Sequence, residues 1–122
     1  MKYLVDSNII IYHLNGNKIA TTFLKNNHTM CAISQITFIE VLSFEFTNNE
    51  FISTKELLDS FLLIDVTNSI SMQCVKNRKI KKIKIPDNII SSTAQINDLI
   101  LVTRNISDFN SLEIKLLDIF DS

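Results

Sequence analysis

The chain has 122 residues, 46% of them hydrophobic and 20% charged, with a formal net charge of -1, the profile of a globular domain able to bury a core. A single Gly and a single Pro exclude Gly-rich phosphate loops of the GxGxxG or Walker type and argue against a loop-dominated β-sandwich. Cys31 and Cys74 lack a CxxC pairing or a His at ligand spacing, so reduced thiols in a cytoplasmic protein are expected rather than a disulfide or soft-metal site.

The opening KYLVDSNIIIYHL predicts a strand over Lys2–Val5 and a helix over Ser7–Leu14. Asp6 and Asn8 interrupt the apolar run and no small-residue cleavage site follows, which reads as a buried strand rather than a signal peptide. No apolar stretch is long enough to span a bilayer. Asp6, Ser7 and Asn8 stand at a strand-to-helix junction, where all three residue types favour helix caps. Asn15-Gly16-Asn17 supplies turn chemistry, followed by a predicted helix over Lys18–Lys25, a strand over Met30–Ile33 and a helix over Ser34–Phe46. Along that last helix Ile33, Ile36, Thr37, Val41 and Phe44 form one stripe, and Glu40 falls in it. A core-facing acid is costly without a partner, so Glu40 is expected to meet a cation, a set of donors or the mouth of a pocket. Glu45 and Glu50 carry no such anomaly and read as solvent charges.

Helices are predicted over Ser53–Phe61, Thr67–Ile80 and Pro86–Asn97, with strands over Leu62–Val66, Leu99–Thr103 and Ile114–Leu117. Lys76, Arg78, Lys79, Lys81, Lys82 and Lys84 gather half of the 12 basic residues, leaving the remainder with 6 basic against 13 acidic, a net -7. The cluster reads either as a solvated helix face or as a phosphate-binding strip leading into Asp87. Asp87 follows Pro86 at the start of a helix, a favourable place for an acid in any case. Asp108 follows the strand LILVT through Arg104-Asn105, where it could simply cap a turn, and Asn105 could replace it as an oxygen donor. His13 and His28 have no partner at ligand spacing, and the Phe residues read as core rather than a stacking platform.

Strand and helix alternate throughout, which predicts an α/β fold with a parallel sheet of about five strands covered by helices on both faces. One domain spans residues 1–122, without linker or repeat. Ligands of such sheets bind in the crevice outside the carboxyl ends of the strands, and Asp6, Glu40, Asp87 and Asp108 are placed to return there. Carboxylates gathered at one edge repel unless a cation sits among them, which suggests a divalent ion and nuclease chemistry.

In order along nearly the whole chain, LVDSNIIIYHL, ISQITFIEVL, IPDNIISSTAQINDLILVTRN and SDF resemble the PIN-domain ribonucleases, most of all the short VapC-type toxins of toxin–antitoxin pairs. Asp6, Glu40 and Asp87 match the three regular acidic positions of that family and Asp108 its less regular fourth. Ser7 and Asn8 match its opening motif, and Thr103-Arg104-Asn105 its strand-end signature. Asn88 and the polar Ser91-Ser92-Thr93 depart from the small apolar residues usual there. The resemblance implies a three-layer α/β/α sandwich, Mg²⁺- or Mn²⁺-dependent cleavage of RNA, a homodimer and inhibition by a cognate antitoxin. It assigns metal binding to Asp6, Asp87 and Glu40, with Asp108 positioning water or holding a second ion. Lys79, Lys81, Lys82 and Arg104 are then the expected phosphate contacts. The rivals are a catalytically inactive PIN-like module that binds RNA or protein, and a phosphoacceptor domain. The latter expects adjacent acids after the first strand, where Asp6 stands alone.

Overall fold

Tyr3-Leu4-Val5 begins the sheet, and its side chains alternate between two cores in the computed structural model, which describes residues Met1–Asp121. Five parallel strands, β1 (Tyr3–Val5), β2 (Cys31–Ser34), β3 (Leu62–Ile64), β4 (Ile100–Val102) and β5 (Leu116–Leu117), lie in the order β3-β2-β1-β4-β5. The helices are α1 (Ser7–Leu14), α2 (Lys18–Asn27), α3 (Gln35–Leu42), α4 (Asn48–Asp59), α5 (Asn68–Ile80), α6 (Ile85–Ile96) and α7 (Ile106–Phe109), with a single 3-10 turn at His28–Met30.

The period of two along each strand sorts the core into two layers. Val5, Cys31, Ile33 and Val102 face Ile9, Ile10, Leu24, Val41 and Leu58 of α1–α4. Leu4, Ala32 and Leu101 face the opposite way, onto Ile90 and Ala94 of α6 and Phe109 of α7. The result is the expected three-layer α/β/α sandwich, with both sheet faces covered.

Four of the five strands are shorter than predicted, β2 keeps its length but is shifted by one residue, and the largest departures among the helices are in α3 and α4. α3 stops at Leu42, not Phe46, so Phe44 lies beyond it and is 53% exposed. α4 begins five residues before the predicted Ser53 because Thr47 and Glu50 form a reciprocal capping box. Glu50 is thus a helix-starting group rather than an idle solvent charge. Gly16 takes φ +84 after α1, and Asn17 caps α2 through a 3.0 Å bond from the Ala20 N–H. Among the described residues no helix is long and apolar enough to cross a membrane.

β1 pairs with β2 on one side and with β4 on the other, with Val5 beside Val102. The order reverses at β1, which opens a crevice at the carboxyl ends of β1 and β4. The next residues along those two strands are Asp6 and Thr103.

Candidate active site

Asp6 is fixed from three directions. Its backbone N–H donates to the Val102 carbonyl at 2.9 Å, which continues the β1–β4 pairing by one residue. Its Oδ1 accepts the Ser7 N–H at 2.7 Å, capping α1, while Oδ2 accepts the Thr103 hydroxyl at 2.7 Å. Capping and site-building are therefore done by different oxygens of one carboxylate. The Asn8 amide lies 3.4 Å from both Asp6 Oδ2 and Thr103 Oγ1, and its Oδ1 lies 3.4 Å from the Arg104 N–H. The Asn105 N–H donates to Thr103 Oγ1 at 3.0 Å; its side chain makes no cap.

Asp6 is only 4% exposed, and burial pushes its carboxyl from an ordinary 3.8 up to about 6. The bonds from Thr103 and Ser7 pull against burial, while the negative charges of Asp87 and Glu40 add to it. α3 brings Glu40 to the same edge, where its Oε1 accepts the Ser7 hydroxyl at 2.7 Å; that hydroxyl also lies 3.2 Å from Thr37 Oγ1. Glu40 is nevertheless exposed. The expectation of a core-facing acid extended a stripe to Phe44, beyond the end of α3. The side chains of α3 that are buried are Thr37 and Val41, and Glu40 occupies the rim beside them. Thr37, read only as part of the stripe, is the residue beneath Ser7 that sequence reasoning missed.

Asp87 lies in the first turn of α6, half-buried beside Pro86. Burial raises its pKa, the charges of Asp108 and Glu40 raise it further, and Lys84 lowers it. Asp87 and Asp108 line a cleft of ≈ 250 Å³ with Lys81, Lys82 and Lys84. Asp108 is exposed on α7. The structure thus brings Asp6 and Asp87 within reach of each other's charge and of Glu40, while Asp108 joins them through Asp87. Lys79 lies in the last turn of α5 and does not line that cleft. Lys81 is half-buried and donates to the carbonyls of Ser107 and Asp108 at 3.0 and 2.8 Å, so it fastens α7 to the end of α5. Arg78 acts similarly, donating to the Ile83 carbonyl at 2.9 Å. The basic run is therefore partly a brace beside the cleft and partly exposed charge.

A polar seam underlies Asp87. The fully buried Asn77 amide of α5 reaches Asn88 Oδ1, Ser92 Oγ and Gln95 Oε1 of α6 at 3.1, 3.0 and 2.8 Å. Asn88 donates in turn to the Cys74 carbonyl at 2.9 Å. Asn88 and Ser92, the departures noted in the sequence, thus have their partners on α5. Among the described residues no buried side-chain nitrogen or oxygen is left without a partner.

Four carboxylates share an edge without a cation bonded to any of them. Among the described residues the ion pairs are Lys55–Asp59 and Lys115–Asp98, both elsewhere. Hard, anionic oxygen donors whose charges help to raise the pKa of Asp6 and Asp87 suit a divalent cation such as Mg²⁺. Among the described residues, however, no three acidic, His or Cys groups come close enough to hold a metal ion together. The two observations agree if the site is open, because Mg²⁺ keeps several waters and needs only one or two carboxylates.

The chain matches the PIN domain model over residues 3–114. It belongs to the PIN-domain family. Among solved structures, a chain of a toxin–antitoxin complex from Klebsiella pneumoniae is 32% identical, with a TM-score of 0.87 over 97% of this chain and 98% of that one. A chain of VapBC2 from Rickettsia felis, bound to a promoter DNA fragment, is 23% identical, with a TM-score of 0.81 over 96% and 98%. VapBC-1 from nontypeable Haemophilus influenzae gives 21% and 0.82 over 99% and 100%. The likeness to the Klebsiella pneumoniae chain extends over nearly the whole length of both chains, and the other two share the same fold. No curated protein matches it by sequence.

Proposed function

We propose that this PIN domain is a metal-dependent endoribonuclease and the toxin of a type II toxin–antitoxin pair. PIN domains are generally nucleases. The observation that carries the reading is the meeting of Asp6, Glu40, Asp87 and Asp108, drawn from four separate elements, at the strand-order switch with no ion pair to neutralise them. Asp6 and Asp87 would hold Mg²⁺ or Mn²⁺ directly, with Glu40 as a further ligand or acting through water. The bound ion supplies a water of lowered pKa and stabilises charge developing on the phosphate oxygens.

The chain's own residues do the rest. Thr103 and the Ser7 N–H hold the Asp6 carboxylate in one orientation, so it meets an ion without reorganising. Ser7 does the same for Glu40, and Asn8 ties Asp6 to the Arg104 backbone. Asp108, exposed across the cleft from Asp87, is placed to orient the attacking water and accept its proton. Lys81 and Lys82 in the cleft, Lys79 on α5 and Arg104 just past the end of β4 would contact the RNA backbone phosphates. An antitoxin partner is supported by the likeness to chains of toxin–antitoxin complexes. A homodimer and a cytoplasmic setting complete the proposal.

The test is incubation of a mixed RNA pool with the protein, with and without a chelator, beside Asp6→Asn. Cleavage that stops with chelator and in the variant is the expected result. Binding of RNA without metal-dependent cleavage would establish instead the inactive binding module.

A further inference from the structure

Arg104 leaves β4 beside the acid cup, yet its guanidinium pairs with none of the acids. Its central carbon lies 4.4 Å from the ring centroid of Phe120 and 5.4 Å from that of Tyr12, and the two rings are themselves 5.1 Å apart. The ring faces attract the cation through their quadrupole and fix the plane of the guanidinium. They do so without consuming an N–H. Among the described residues no hydrogen bond or ion pair uses the Arg104 side chain, and the residue is exposed. Its forked donors therefore remain free, in a set orientation, on a residue whose backbone N–H lies 3.4 Å from Asn8 Oδ1.

We infer that Phe120 and Tyr12 form a shelf that presents Arg104 to a phosphodiester of single-stranded RNA bound across the acid cup. Phe120 is then a positioning residue, and the end of the chain takes part in substrate binding although it contributes no group to the chemistry. Phe120 is itself held by a turn in which its N–H donates to Asp118 Oδ1 at 2.9 Å. A phosphodiester suits the fork because guanidinium engages phosphate oxygens bidentately, and the neighbouring carboxylates would repel an anion lacking such a cation. Lysine could not replace Arg104, since it lacks both the flat face and the fork. The inference rests on the nuclease reading, and its test reads RNA binding as well as cleavage.

The variants are Phe120→Leu, Phe120→Tyr, Arg104→Ala and the double variant Phe120→Leu/Arg104→Ala, on a short single-stranded RNA. Affinity is measured in chelator against salt concentration, and kcat and KM in Mg²⁺. Arg104→Ala is expected to weaken binding about tenfold and flatten the log–log salt slope by about 0.7, the value for one phosphate on a single strand. Phe120→Leu should raise KM about two- to fivefold with kcat unchanged, matching the worth of an exposed cation–π contact. Phe120→Tyr should restore wild-type KM, and Phe120→Leu should add nothing once Arg104 is gone. Equal losses from Phe120→Leu with and without Arg104 would overturn the inference, leaving Phe120 a packing residue. So would an unchanged KM in Phe120→Leu. Wild-type protein that binds RNA without cleaving it refutes the nuclease reading alone, with the shelf then judged on affinity. Wild-type protein that neither binds nor cleaves RNA refutes both.

Discussion

Asp6 is held where its charge destabilises the fold, so neutralising it should strengthen the protein while abolishing its proposed activity. Its carboxyl titrates at about 6 rather than 3.8. Because the folded form binds the proton more tightly than the unfolded chain, the favourable contribution is complete below pH 3.8 and is lost as pH rises through about 6. The shift of roughly two pKa units corresponds to about 3 kcal/mol of strain above pH 7 in metal-free protein. Asp6→Asn removes that charge but disturbs the acceptors offered to Ser7 and Thr103, a loss of about 1 kcal/mol or slightly more. The net expectation is about 1–2 kcal/mol of stabilisation at pH 8, or a melting temperature higher by about 4–8 °C. Thermal melts of both proteins at pH 4 to 8, in chelator and in Mg²⁺, provide the measurement. The two curves should cross between about pH 4.5 and 5, with the variant the less stable below that point, and Mg²⁺ should raise the melting temperature of the wild type only. A variant less stable than wild type at pH 8 in chelator, with no change in the pH profile, would refute the reasoning.

Three further outcomes follow from particular contacts. Thr103→Val removes the bond that holds the Asp6 pKa down, so the pH midpoint of cleavage should move upward by about one unit; an unmoved midpoint would show that Asp6 does not set it. Lys81→Gln should lower stability by about 1 kcal/mol because it releases two carbonyls, whereas Lys82→Gln should leave melting unchanged and flatten the salt dependence of RNA binding. Asn77→Ala removes a buried NH₂ whose two hydrogens are shared among Asn88, Ser92 and Gln95 and should cost about 2–3 kcal/mol by urea unfolding; a loss below about 1 kcal/mol would make the seam incidental.

The sheet was legible in the sequence because its strands are short apolar runs between helices, and the position of Asp6 followed from the same alternation. Element ends were less legible. The Thr47-x-x-Glu50 signature marks the start of α4 and is a signal that was available, although predicted bounds put that helix at Ser53. Glu40 was placed at the correct edge on an incorrect premise: an assumed helix running to Phe46 turned a rim residue into a core residue. The Asn77 seam and the Tyr12–Arg104–Phe120 stack left no trace, since polar residues within a helix and aromatic residues far apart in sequence show no periodicity that pairs them. Only the packing of α5 on α6, and of the final turn on α1, brings them together.

The bond from Thr103 to Asp6 joins residues 97 positions apart, and the neighbouring backbone bond to Val102 spans almost as much of the chain. A ribosome emits Asp6 97 residues before Thr103. A nascent or prematurely terminated polypeptide lacking β4 leaves Asp6 with neither its hydroxyl donor nor its adjoining strand. Such closure of a long loop also forms slowly. The orientation of the Asp6 carboxylate therefore waits on the synthesis and docking of β4, so that a fragment ending before that strand cannot hold it.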